Sequence, residues 1–134
     1  MPTKLKDSSG NFVKIQGGES CNLTGTLKDT AGAAVTPATL TLTLFDESSG
    51  VIVNSRKAQD VLGVNGGSVA DGVYTIELNA SDTAVVGALV AGSTQNRVAR
   101  ISYTWDDGDG TRTGIEEFLF PIEKLTDAEG SGSG

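Results

Sequence analysis

Apolar residues recur at every second position through much of the chain. From Glu19 to Lys28, Cys21, Leu23, Gly25 and Leu27 fall on one face, and Asn22, Thr24, Thr26 and Lys28 on the other. A period of two marks a strand with one buried face. The pattern is clearest over residues 38–45, where Leu40, Leu42 and Leu44 alternate with Thr39, Thr41 and Thr43. Asp46 to Gly50 then reads as a turn into Val51–Val53, which predicts a hairpin. Tyr74, Ile76 and Leu78 alternate within 73–78, and Ala99, Ile101, Tyr103 and Trp105 share one face of 97–105. Asp106 to Gly110 is the sharpest turn signal. The strand after it, from about Arg112 to Lys124, turns Phe118, Phe120 and Ile122 one way and Glu117, Leu119 and Pro121 the other. Pro121 predicts an edge position or a bulge there.

Three stretches break the alternation. Phe12, Val13 and Ile15, closed by Gly17 and Gly18, read as a first strand or as an arm that docks elsewhere. Residues 54–62 fit either a helical turn capped by Asn54 or Ser55, or an irregular strand. Asn79 to Val86 predicts a helical turn with Ser81 or Asp82 as its N-cap. The fold expected is all-β: an antiparallel immunoglobulin-like β-sandwich of about seven strands with one short helical turn. A barrel is the second architecture. Residues 1–17 read as an N-terminal arm, 18–126 as the sandwich and 127–134 as a flexible Gly/Ser tail.

Composition narrows the chemistry. The chain has 134 residues, within the usual span of one domain. Leu, Ile, Val and Phe make up roughly a quarter of it, enough to build a core. There is no His, so no imidazole base or metal ligand. One Cys allows no internal disulfide and no Cys-based zinc site. No apolar run approaches the roughly 18 residues of a membrane span. The N-terminus lacks the apolar stretch of a signal peptide. The expectation is a protein that is not an enzyme and has no cofactor.

The net charge of −7 argues against nonspecific nucleic-acid binding. It is unevenly spread. In the first fifteen residues Lys4, Lys6 and Lys14 stand against Asp7 alone. In 106–129, Asp106, Asp107, Asp109, Glu116, Glu117, Glu123, Asp127 and Glu129 stand against Arg112 and Lys124. A basic arm and an acidic end suit complementary protein patches, a neighbouring copy included.

Candidate sites weigh poorly one by one. Asp107-Gly-Asp109-Gly-Thr111 partly resembles a calcium loop, but Arg112 and Phe118 occupy the positions where an EF-hand needs Gly and Glu. Cys21 reads as a buried structural thiol with no basic partner. Asn22-Leu-Thr24 and Asn79-Ala-Ser81 match the glycosylation sequon by chance. Glu116 and Glu117 are neighbours on a strand and point to opposite faces, so they cannot act as a glycosidase pair. Trp105, Tyr103, Tyr74, Phe118 and Phe120 read as core; an exposed Trp105 would instead favour a cell-surface or carbohydrate-binding module. The candidate partner contacts are Lys4, Lys6, Phe12 and Ile15 in the arm, with Arg56 and Lys57.

Several stretches together resemble a family of small Ig-like proteins of tailed-bacteriophage virions. They are Leu23-Thr-Gly-Thr-Leu-Lys-Asp29 with Ala38-Thr-Leu-Thr-Leu-Thr-Leu44, and Val51-Ile-Val-Asn-Ser-Arg-Lys-Ala-Gln-Asp-Val-Leu62 followed by Asn65-Gly-Gly67. Asp71-Gly-Val-Tyr-Thr-Ile-Glu-Leu78 with Ser81-Asp82 follows, then Arg97-Val-Ala-Arg-Ile-Ser-Tyr-Thr-Trp105 leading to Ile115-Glu-Glu-Phe118. Residues 54–62 before Asn-Gly-Gly are the distinctive part. The resemblance spans about residues 20–125 and leaves out the arm and tail. It implies a noncatalytic head decoration or neck and head–tail component, located in the virion. The implied partners are capsid, portal or tail proteins and copies of itself, with no nucleic acid and no membrane.

Overall fold

The computed structural model describes residues 15–87 and 92–124, and the backbone of residues 3–4. The described residues form strands and turns with no helix. There are nine strands: β1 (Thr3–Lys4), β2 (Ile15–Gln16), β3 (Cys21–Thr26), β4 (Thr39–Asp46), β5 (Gln59–Asp60), β6 (Gly67–Ala70), β7 (Val73–Leu78), β8 (Thr94–Asp106) and β9 (Thr111–Glu123). Three of them, β1, β2 and β5, are two residues long.

They build two sheets. The larger is curled and runs β1-β9-β8-β4-β5, with β2 also on β9. The smaller is antiparallel, in the order β3-β7-β6. Their inner faces share one core, in which Leu40, Leu42, Leu44, Ile101, Phe120 and Ile122 meet Leu23, Leu27, Tyr74, Ile76 and Leu78. All eleven are those that the period-two alternation turned inward.

Three expectations change. The larger sheet is mixed rather than antiparallel, because β1 and β2 both run parallel to β9. Strands number nine among the described residues rather than about seven, since short pieces at the sheet edges join the long ones. The helical turn over 79–86 does not form. Asn79 Oδ1 accepts from Ser81 N at 3.0 Å and Asp82 N at 3.2 Å, and Asp82 Oδ2 accepts from Asn79 N at 2.8 Å. These reciprocal side-chain bonds close the turn on itself, and such bonds compete with helix.

Pro121 sits where the outer edge of β9 is interrupted. β1 pairs with Phe118 and Leu119, and β2 with Ile122 and Glu123. Between these two pairings Pro121 has no N–H to donate. The hairpin after β4 closes through Phe45 opposite Ile52. Residues 54–62 take the irregular-strand form, with β5 paired to Thr41 and Leu42.

Tight turns lead into β5. Asn54, Ser55 and Ala58 all have positive φ, at 54°, 57° and 49°. Asn tolerates this region, whereas Ala has no local compensation. Ala58→Gly is therefore expected to stabilise the fold by up to about 1 kcal/mol. Urea denaturation reads it, and a midpoint that falls would show that Ala58 is relaxed.

Candidate functional site

The residues expected to meet partners divide between two places. The first is a buried ionic cluster under the loops. Asp82 is fully buried and accepts from Arg56 Nε at 2.6 Å and Arg56 Nη2 at 3.0 Å. Asn54 Nδ2 donates to the same carboxylate at 2.9 Å. Arg56 Nη1 also donates to Gln59 Oε1 at 2.9 Å and to the Asn65 carbonyl at 3.1 Å. One guanidinium therefore ties together the 54–56 turn, β5, the loop before β6 and the 79–82 turn.

A second arginine lies nearby. Arg97 is fully buried on the inner face of β8. It donates to the carbonyls of Asp82 at 2.6 Å and Ala84 at 3.0 Å, and to Gln95 Oε1 at 2.6 Å. Its Nε has no hydrogen-bond partner. Burial pushes its pKa down, while Asp46 and Asp82 oppose that shift. Asp46 faces Arg97 across the β4–β8 ladder and is itself buried. Two cations and two anions thus balance inside the fold.

Arg56 is spent within this cluster and presents no cation to the surface, whereas Lys57 beside it is exposed. Residues 54–56, Asn65 and Asp82 come from stretches that carry the resemblance described above, and here they meet in space.

The second place is the outer edge of β9. Lys4 lies in β1, in backbone register with Leu119. Ile15 lies in β2 opposite Ile122, and its side chain is in the core. Lys6 and Phe12 lie outside the described residues. Two short pieces, Thr3–Lys4 and Ile15–Gln16, thus pair with the acidic last strand.

The remaining candidates are absorbed locally. Trp105 is only 7% exposed and stacks on Tyr103 at 5.6 Å between ring centroids. It borders a depression of about 420 Å³ with Asp29, Thr30, Asp107, Arg112 and Thr113. The burial of its ring removes the exposed platform that a glycan module needs. In the Asp106–Gly110 turn, Asp106 Oδ1 accepts from Gly108 N and Asp107 Oδ1 from Asp109 N, both at 2.8 Å. Asp107 Oδ2 pairs with Arg112 Nε at 2.5 Å, which lowers the Asp107 pKa. Among the described residues no three Cys, Asp or Glu side chains group as metal ligands. Glu116 and Glu117 separate as expected: Glu116 accepts from the Tyr74 hydroxyl of the other sheet, and Glu117 pairs with Arg100 on the outer face at 2.6 Å.

Cys21 is half-buried, and burial first, then Asp82 and Glu19, push its thiol up to about 11 from 9.0. At pH 8 its thiolate population is roughly 100-fold below that of an ordinary thiol of that starting pKa. Alkylation by iodoacetamide is expected to be slow in the folded chain and fast in urea. Equal rates in the two states would contradict this environment.

The internal role of the two arginines leaves no trace in the sequence. Charged residues are mostly exposed, so an isolated Arg in a strand or turn carries no signal of burial. Comparison of the chain with protein-family models, curated proteins and solved structures finds no match.

Proposed function

We propose that this chain is a noncatalytic structural component of a tailed-phage virion, a head decoration or a neck and head–tail component. On this reading the two sheets form an immunoglobulin-like body, and its work is protein–protein contact with capsid, portal or tail proteins and with other copies.

The observation that carries the proposal is the outer edge of β9. It takes up extended segments of the chain's own N-terminal region at two separate places, at Phe118–Leu119 and at Ile122–Glu123. An edge that accepts extended segments of its own chain can accept one from another subunit by the same backbone pairing. Two further features support it. Arg56 and Asp82, a charged pair, are engaged with each other inside the fold. Asn54, Arg56, Asn65, Asp82 and Arg97, from several of the stretches that resemble the phage family, meet in one internal cluster, so their joint presence has a structural cause.

The test is incorporation. Particles assembled in cells that express the chain are purified and their proteins identified by mass spectrometry. The chain is expected at a fixed copy number beside capsid, portal or tail proteins. Deleting residues 1–15 is expected to lower that number. Recovery of the full chain only outside the particles would overturn the proposal.

A further inference from the structure

β9 uses its outer edge unevenly. Its second half carries β1 and β2. Along its first half, Thr111–Glu117, β8 occupies the inner side, and no described strand pairs on the outer side. Extended backbone with no described partner on one side is a template for another strand. Ile115 stands in this stretch and is 65% exposed, the most of any large apolar side chain described.

The residues along this edge complement their own reversal. They read Thr111-Arg-Thr-Gly114-Ile-Glu-Glu117. We propose that the edge pairs antiparallel with the same edge of a second copy, about a two-fold axis at Gly114. Arg112 of each copy then faces Glu116 of the other, Thr113 faces Ile115, and Thr111 faces Glu117. The contact is isologous, so each favourable pair occurs twice. Opposite charges that face each other across strands stabilise a pairing, and like charges weaken it.

The register follows from what is open. A pivot at Gly114 centres the pairing on the stretch with no described outer partner and stops short of Phe118, where β1 pairs. Moving the pivot to Thr113 sets Arg112 against Gly114 and runs Glu116 into the Asp106–Gly110 turn. Moving it to Ile115 sets Arg112 against Phe118, which β1 already covers. Both charged groups have capacity left. Arg112 gives Nε to Asp107, and its Nη groups have no described partner. Glu116 uses Oε1 for Tyr74, and Oε2 has no described partner. Glu116 and Glu117 also disfavour acidic strands on this edge, whereas a second copy brings Arg112.

This deepens the preceding reading by naming one partner, and it is tested without particles. Sedimentation of the purified chain is expected to show a monomer–dimer equilibrium that weakens with salt. Arg112→Glu changes an exposed side chain and is expected to weaken the dimer at least about tenfold. The register has its own test in a Cys21→Ser background. Facing Cβ atoms lie about 4.5–5.5 Å apart, whereas diagonal neighbours lie about 7–8 Å apart. A mixture of Thr113→Cys and Ile115→Cys proteins is therefore expected to form the mixed disulfide faster than either forms its own. A chain that stays monomeric at millimolar concentration overturns the proposal. So does a dimer indifferent to Arg112→Glu, or one in which Thr113→Cys links first to itself. A dimer absent from particles would sink the virion reading alone, and a monomer present in them would sink this pairing alone.

Discussion

Asp82→Ala is expected to cost about 3–5 kcal/mol. The carboxylate is fully buried and accepts from Asn54, Arg56 and Asn79. Its removal leaves the Arg56 guanidinium, whose side chain is 5% exposed, without its counter-charge. It also opens the turn whose carbonyl at residue 82 takes a hydrogen bond from Arg97. A domain of this size has about 5–15 kcal/mol of stability in all, so the variant sits near the folding threshold. Urea denaturation measures the loss as a lower midpoint with an unchanged slope.

The comparison with Arg56 separates pairing from packing. Arg56→Met removes the charge and keeps most of the volume. Alone it leaves Asp82 buried and unpaired, so it too is expected to cost several kcal/mol, about as much as Asp82→Ala. The Arg56→Met, Asp82→Leu double variant removes both charges and is expected to lose much less than the two single losses added. Additive losses would mean that each residue acts through separate contacts. Arg56 also holds Gln59 and the Asn65 carbonyl, so some loss persists in the double variant.

The long strands were legible because one face of each is apolar and the other is polar. Leu40, Leu42 and Leu44 announce β4, and the Asp106–Gly110 turn announces the β8–β9 hairpin. Other features follow from tertiary contacts that leave no local trace. Val98 belongs by alternation to the outer face of β8, yet it is only 3% exposed. It stands in register between Phe45 and Leu119, and Arg100 lies over the Phe45 ring at 5.3 Å from its centre. The parallel pairing of β1 and β2 depends on where β9 ends up, and two residues are too few to show a period. Of the candidate contacts, Lys57 is exposed, while Ile15 and Arg56 are buried. Charge type alone does not distinguish these roles.

Gly25→Ala is expected to destabilise by about 2–4 kcal/mol, although Ala suits a strand better than Gly. Gly25 faces Tyr74 across the β3–β7 ladder, and the tyrosine ring lies over it. A Cβ at Gly25 would run into the Tyr74 hydroxyl and ring edge. That would push away the hydroxyl that donates to Glu116 on the opposite sheet. The same device recurs in the larger sheet, where Tyr103 covers Gly114 and donates to the Lys28 carbonyl at 3.2 Å. Each tyrosine thus fills the space beside a glycine and ties its sheet to the other one. Tyr74→Phe keeps the ring and loses the bond, so it is expected to cost about 1–2 kcal/mol. The two variants differ further in alkali. Burial, then the bond to Glu116, hold the Tyr74 pKa well above its ordinary value of 10.0. Above about pH 10 the unfolded chain therefore releases a proton that the folded chain keeps, and stability falls as pH rises, by at most about 1.4 kcal/mol per pH unit for this one group. Tyr74→Phe removes that contribution, so its stability is expected to fall less steeply than the wild type's between about pH 10 and 11. Parallel declines in the two proteins would show that the Tyr74 hydroxyl ionises as readily folded as unfolded.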